Sequence, residues 1–245
     1  MKENIKELVK KIKTAKYCVA FTGAGVSTLS GIQDFRGKDG LYKTLDADRM
    51  FDVNLFHSDP SVYYNLAKDF IYGLDEKKPS IVHEVLADLE AKGYIKAVIT
   101  QNIDLLHTKA GSKTVFEIHG SPLVHRCLSC NKTESFETVA PRARFGKVPL
   151  CQSCGNTIKP DIVFFGENLP QDVFAKAVQN ASMADLMIVL GSSLIVQPAA
   201  SLPLYTLKNK GTLVIVNEQS TPLDTYASLR FNDLYNTFSA LKSYL

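Results

Sequence analysis

The sequence predicts an α/β chain: a doubly wound parallel sheet that carries a small inserted domain. Three observations lead there. Five short apolar runs punctuate the 245 residues, and runs of this kind are what strands buried on both faces look like. Segments of helical period lie between them, and strand–helix alternation argues for parallel strands joined by right-handed crossovers. Two stretches, 32–79 and 121–157, break the alternation and read as insertions.

The runs are Tyr17–Thr22, Ala97–Thr100, Val115–Ile118, Leu186–Leu190 and Leu213–Val216. Each ends abruptly in small or polar residues: Gly23-Ala24-Gly25, Gln101-Asn102-Ile103-Asp104, His119-Gly120, Gly191-Ser192-Ser193 and Asn217. Ligands of an open parallel sheet bind beyond the carboxyl ends of its strands, so these residues stand where such a fold puts its site. Among the helices, Ile5, Leu8, Val9 and Ile12 share one face of the first, and Ile81, Val82, Val85, Leu86 and Leu89 precede the second strand. Val173, Phe174, Ala177 and Val178 follow Pro170, and Leu234, Phe238 and Leu241 recur near the end. The expected division is a sheet domain of 1–31, 80–120 and 158–245, with 32–79 and 121–157 forming the smaller lobe.

Composition sets the class. With 45% hydrophobic and 22% charged residues, the chain is an ordinary globule, and a net charge of +3 is too small to argue for nucleic acid or an anionic membrane. Lys10, Lys11, Lys13 and Lys16 fit the solvated face of the first helix. The opening residues read as that helix rather than a leader, and no apolar segment approaches a membrane span. The expected location is cytoplasmic.

Four of the five cysteines fall in two pairs, Cys127-Leu-Ser-Cys130 and Cys151-Gln-Ser-Cys154, giving C-x2-C-x20-C-x2-C. Two thiolates per tight turn and two turns per metal complete a tetrahedron, the zinc-ribbon arrangement. Four thiolates leave no position for water or substrate, so one structural zinc is expected. The alternatives are a redox pair, which lacks its usual context, and a nucleic-acid ribbon. Leu128, Ser129, Gln152 and Ser153 are neither basic nor aromatic, which disfavours nucleic acid. Cys18 lies inside an apolar run and reads as a small core residue.

Gly23-Ala24-Gly25 after a strand is half of a dinucleotide fingerprint, with Thr28 where the third glycine would stand. Glycine pairs at strand ends are also ordinary turns. Gly191-Ser192-Ser193 offers a second set of donors, and two phosphate-sized sites suit a pyrophosphate. His119 directly follows a strand, where an imidazole can take a proton near neutral pH or serve as a structural hydrogen-bonder. Asn102 and Asp104 suit a carboxamide ligand such as nicotinamide, or local capping.

Together these motifs resemble the sirtuin family of NAD-dependent protein lysine deacylases, in its compact bacterial form. The matching segments are Gly23–Ser27, Gly31–Arg36, Thr100–Asp104, Ile118–Gly120, the four cysteines, Val163–Glu167, Gly191–Ser193 and Asn217, in the family's order along nearly the whole chain. The resemblance implies a Rossmann-like large domain, a zinc-bearing small domain and a cleft where NAD meets an acyl-lysine peptide. It implies that Gly23, Ala24, Gly25, Thr28, Gly191, Ser192 and Ser193 hold the pyrophosphate and adjoining ribose, with Asn217, Glu218 and Leu234 at the adenosine end. Asp34, Phe35 and Arg36 belong to a cofactor loop, while Gln101, Asn102, Ile103 and Asp104 line the nicotinamide–ribose pocket. Val163, Phe164, Gly166 and Glu167 face Leu194, Ile195 and Val196 across a slot that clamps the peptide as an added strand.

The chemistry so implied consumes NAD and releases nicotinamide and O-acyl-ADP-ribose, with His119 as general base and Asn102 beside it. Gln33 stands where the family usually has proline, which leaves that loop less restrained. The desuccinylase branch's Tyr-x-x-Arg pair is represented by Tyr64 and Ala67. Mono-ADP-ribosyl transfer on the same NAD site, and a zinc-stabilised NAD-sensing regulator without turnover, are the alternatives.

Overall fold

The computed structural model describes residues 2–34, 40–41 and 46–244. Its strands are β1 (Cys18–Thr22), β2 (Ile95–Thr100), β3 (Val115–Glu117), β4 (Gly120–Cys127), β5 (Thr133–Ser135), β6 (Ile158–Ile162), β7 (Leu186–Leu190), β8 (Thr212–Val216) and β9 (Ala227–Phe231). Six of them form one parallel sheet in the order β3-β2-β1-β7-β8-β9. The chain moves outward from β1 through β2 to β3, then returns to the other side of β1 with β7. The topological switch point therefore lies between β1 and β7, where a doubly wound sheet opens its ligand crevice.

Side chains of these strands alternate between two cores, as the pleat requires. Cys18, Ala20, Leu186, Ile188, Leu190, Val214 and Val216 pack with the helices Lys2–Thr14, Ile81–Ala91 and Leu234–Lys242. Val19, Phe21, Met187, Val189, Leu213 and Ile215 pack on the other face with the helices Gln171–Met183 and Leu202–Lys208. Both faces are covered, which is why the runs are apolar throughout. The sequence does not announce β9: it pairs only with β8 at the sheet edge, is half-exposed over most of its length, and so carries Ser228 and Arg230.

A second, antiparallel sheet has the order β5-β4-β6. Here β6 departs from the boundary expected at 158. Ile158 and Ile162 join the buried cluster of Tyr63, Tyr64, Phe136, Cys127 and Cys151 rather than either face of the large sheet. Residues 158–162 thus lie with the smaller lobe.

The segment rich in aspartate and aromatic residues folds into short helices at Ala47–Met50, Val53–Ser58 and Pro60–Phe70. Asp46, Asp52 and Asp59 cap them in turn, their carboxylates accepting from Arg49 N, Leu55 N and Ser61 N. The aromatic residues fill the lobe's core edge to face. Phe56 meets Tyr63 and Phe164 with ring centroids 5.5 Å apart in both pairs, contacts worth roughly 0.5–1.5 kcal/mol each beyond their buried area. Among the described residues, no helix is long and apolar enough to cross a membrane.

Candidate active site and metal centre

The carboxyl ends of the parallel strands and the smaller lobe enclose a cavity of about 1440 Å³. Its floor is built where two glycine loops touch. Gly23 N donates to Leu190 O and Gly25 N to Gly191 O, both at 2.9 Å. A Cβ on Gly23 would lie 2.7 Å from Gly191 O, and one on Gly25 would lie 2.7 Å from Gly191 Cα. These glycines are needed because backbone meets backbone across the switch point. Their N–H groups serve that contact, contrary to the expectation that they point at phosphate oxygens. Thr28 is exposed at the missing third-glycine position and donates to Gly25 O at 2.9 Å.

His119 sits in the turn between β3 and β4. Gly120 holds that turn with φ +76°, and a Cβ there would come 2.1 Å from Asp161 O. The His119 Nδ1 lies 2.8 Å from Gln101 O. A carbonyl can only accept, so Nδ1 carries the hydrogen and the lone pair of the neutral ring is on Nε2. Burial pushes the imidazole below its ordinary 6.5, opposed by the bond to Gln101. A neutral base results at physiological pH.

The turn after β2 is locked from several sides. Gln101 Nε2 donates to Ser192 Oγ at 2.8 Å, and Asn102 Nδ2 donates to Gly23 O and Ser27 Oγ, each at 3.1 Å. Asp104, expected on the wall of the nicotinamide pocket, is buried behind it. Its carboxylate accepts from Ser27 Oγ at 2.6 Å and Leu106 N at 2.9 Å, so it orients the residues that face the cavity. Burial raises its pKa above the ordinary value, against the bonds from Ser27, Leu106 and Asn102. The other buried histidines have local partners: His107 with Thr22, His83 with Ser80, and His125 with Tyr72.

Glu117, two residues before His119, is held at a pKa of about 7 chiefly by burial, with the Asp104 charge adding to the shift and a bond from Ser121 opposing it. A folded-state pKa above the ordinary 4.5 means that the fold favours the protonated acid. This stability is fully present below about 4.5 and is lost as pH rises through about 7. Glu117→Gln keeps the neutral shape without the titration. Its melting temperature should match the parent's near pH 4.5 and exceed it at pH 8; parallel curves for the two proteins would count against the assignment.

Of the residues singled out from sequence, Gly23, Ala24, Gly25, Thr28, Asp34, Gln101, Asn102, Ile103, His119, Val163, Phe164, Gly166, Glu167, Gly191, Ser192, Ser193, Val196, Asn217, Glu218 and Leu234 line the one cavity. Phe35 and Arg36 lie outside the described residues. Leu194 and Ile195 are not on its wall: Leu194 turns into the core at φ +55°, and Ile195 is 59% exposed. The cavity also includes Phe51, Pro198, Asn232 and Asp233, which the sequence alone does not single out. Asn232 and Asp233 follow β9, so missing that strand hides them. Asp233 also caps the helix Leu234–Lys242.

The four paired cysteines converge elsewhere in the lobe, off the cavity wall. Their sulfurs all lie within 4.8 Å of one another, with Cys127 Sγ 3.4 Å from Cys154 Sγ and Cys130 Sγ 3.7 Å from Cys151 Sγ. All four thiols are free of disulfides. Zinc–sulfur bonds of about 2.3 Å in a tetrahedron imply sulfur separations of about 3.8 Å, so the cluster fits a closed zinc site. Backbone N–H groups of Ser129 and Ser153 point at Cys127 Sγ and Cys151 Sγ, both at 3.4 Å. Glu134 ties the second pair to β5 by accepting from Gln152 N at 3.0 Å, and Arg142 braces Glu134 and Leu150 O.

Comparison with known proteins agrees with this geometry. The model of the Sir2 family matches residues 23–198. The chain is 49% identical to an NAD-dependent protein deacetylase of Thermotoga maritima, over 93% of this chain and 92% of that one. It is 42% identical to NAD-dependent protein deacylase 1 of Archaeoglobus fulgidus, over 90% of this chain and 89% of that one. A solved complex of Sir2 with a p53 peptide and NAD+ superposes with a TM-score of 0.88 at 45% identity, covering 98% of this chain and 96% of that one. A Sir2 structure bound to a propionylated peptide gives 0.87 at 45% identity with the same coverage. From the glycine loop after β1 to the segment beyond β7, the match takes in both glycine loops of the switch point, His119 and the four cysteines, and this chain belongs to the Sir2 family.

Proposed function

We propose that this protein is an NAD-dependent protein lysine deacylase, which consumes NAD, acyl-lysine and one water and releases nicotinamide, free lysine and O-acyl-ADP-ribose. The observation that carries the reading is His119, a neutral imidazole with its lone pair on Nε2, on the wall of a cavity shared by the glycine loops and the Ile162–Glu167 segment. NAD supplies an electrophilic ribose carbon with nicotinamide as its leaving group. The chain's residues bind, orient and move protons around it. Gly23, Ala24, Gly25, Thr28, Gly191, Ser192 and Ser193 form the floor for the pyrophosphate and its ribose. Asn217, Glu218 and Leu234 take the adenosine end. Gln101, Asn102 and Ile103 hold the nicotinamide ribose, steadied from behind by Asp104, with Asp34 on the same cavity wall. His119 accepts a ribose hydroxyl proton at Nε2, and the Gln101 carbonyl stabilises the resulting imidazolium through Nδ1–H.

The acyl-lysine peptide lies as an added strand between Val163–Glu167 and the segment at Val196, pairing main chain to main chain and so tolerating many sequences. A sheet domain and a zinc-bearing lobe, with 158–162 assigned to the lobe, frame the cleft. Two C-x2-C pairs committed to zinc rather than to disulfides suit a reducing compartment, and the location we propose is cytoplasmic.

One assay tests the activity and its acyl preference. Nicotinamide release is followed with acetyl-lysine peptide, with succinyl-lysine peptide and with no peptide. Ile32, Phe51, Ile103 and Phe164 give the cavity apolar walls, and no lysine or arginine lines it among the described residues. Tyr64 spends its hydroxyl on Ile158 O at 2.7 Å, and Ala67 is fully buried. A buried carboxylate without a partner costs several kcal/mol. The acetyl peptide should therefore be processed at least about 10-fold more efficiently, or about 1.4 kcal/mol. Equal kcat/KM on the succinyl peptide would refute the preference. Release that ignores peptide altogether would favour ADP-ribosyl transfer, and no release with any peptide would favour NAD sensing without turnover.

A further inference from the structure

Lys159 is the one lysine in the buried set of described residues, only 7% exposed, and the reaction described above makes no use of it. It stands in β6, three residues before the strand ends and the chain turns to face the cavity. Its ammonium is fully engaged. Nζ donates to Ile162 O at 2.7 Å, to Glu167 Oε2 at 2.8 Å and, more weakly, to Pro160 O at 3.3 Å. It also lies 3.9 Å from the centroid of the Phe164 ring. The same Glu167 oxygen accepts from Phe164 N at 2.7 Å, and Glu167 N donates back to Phe164 O at 3.0 Å.

These contacts close residues 159–167 into a clasp. Beyond β6 the main chain has few other ties: Val163 N to His119 O at 2.9 Å, Phe165 N to Phe51 O at 2.7 Å and Val53 N to Phe165 O at 3.3 Å. Ile162, Val163, Phe164, Gly166 and Glu167 all line the cavity, so whatever fixes their path fixes one wall. A buried ammonium is a costly way to gain stability, since an apolar side chain of similar length often serves as well. What the ion pair gives here is a defined shape: a cation with directed donors joins the strand end, one ring face and one carboxylate.

We propose that Lys159 is a positioning residue for the acyl-lysine peptide, acting through Glu167 to hold Ile162–Glu167 as the substrate-facing edge of the cavity. The proposal rests on the deacylase reading and concerns the peptide side alone. The NAD floor is tied together by Leu190, Gly191 and Ser192, with no bond to the clasp.

The test measures binding of an acetyl-lysine peptide, its unacetylated counterpart and NAD to the whole chain, in parent, K159M, K159R and E167Q proteins. K159M should weaken acetyl-peptide binding about tenfold, equivalent to about 1.4 kcal/mol, while NAD affinity stays close to the parent's. K159R, which keeps the cation, should recover most of the loss. Unchanged peptide affinity in K159M, an equal loss for NAD, or no recovery in K159R would each overturn the proposal. If K159M does not fold, E167Q decides, because it removes the charge while keeping the shape at a partly exposed position: a peptide-selective loss supports the clasp, and parental peptide affinity overturns it. A parent that binds NAD but does not distinguish acetylated from unacetylated peptide overturns the deacylase reading, and this proposal with it.

Discussion

Replacing His119 with alanine is expected to abolish product formation while leaving NAD binding largely intact. The imidazole acts after the cofactor has docked, and the floor that receives NAD is held by bonds between the two glycine loops, independent of the ring. Removing a general base typically lowers the rate by about 10²–10⁴-fold. The loss should appear in kcat, with NAD affinity measured separately by titration. A pH signature accompanies it. Burial holds His119 below 6.5, so the acid limb of the parent's kcat/KM profile should lie below that value and vanish from the residual activity of the variant. A variant that deacylates near the parental rate would make His119 structural and remove the mechanism.

Loss of the metal should be equally severe by a different route. Cys127 and Cys151 are both bound into the lobe's aromatic core, beside Tyr64, Phe136 and Ile158. Zinc on four thiolates contributes roughly 10–16 kcal/mol of apparent binding energy in small modules, comparable with a typical domain's whole margin of roughly 5–15 kcal/mol. Cys130→Ala, or prolonged chelation of the parent, should therefore melt the lobe and abolish activity, because Ile162 and Phe164 belong both to that core and to the cavity wall. Elemental analysis should find one zinc per active chain. Active, freshly prepared protein without zinc would end the idea.

Much of this was legible in the residues, for reasons that also mark the limits. Strands buried on both faces must be apolar throughout, so β1, β7, β8 and β2 from Ala97 onward declare themselves, while β3, half-buried at one edge, shows only through Val115, Phe116 and the following Ile118. β9, at the edge, needs no such run and is silent. The cysteine spacing states its tetrahedron outright. Asp104 could be read as important but not placed, because its partner Ser27 lies 77 residues away in sequence. Leu194 and Ile195 belong to a turn whose direction is set by a left-handed residue, and neither reaches the wall expected of them. Lys159 reads as surface in any sequence, and only the fold shows its ammonium enclosed. The short helices after Asp46, Asp52 and Asp59 are too brief for a period to register, although each cap is visible once the helix is known.

The contact between Gly23, Gly25 and Gly191 also bears on how the protein is made. Synthesis proceeds from the amino terminus, so His119, Asn102 and the first glycine loop all emerge well before β7. Until Leu190 and Gly191 arrive, the first loop lacks the backbone partners for its two outward N–H groups. Such long-range pairings form late and slowly in parallel sheets. A ribosome-bound chain ending short of Leu186 thus carries the base but not the floor. On the deacylase reading, the floor that receives NAD is complete only once β7 has joined β1.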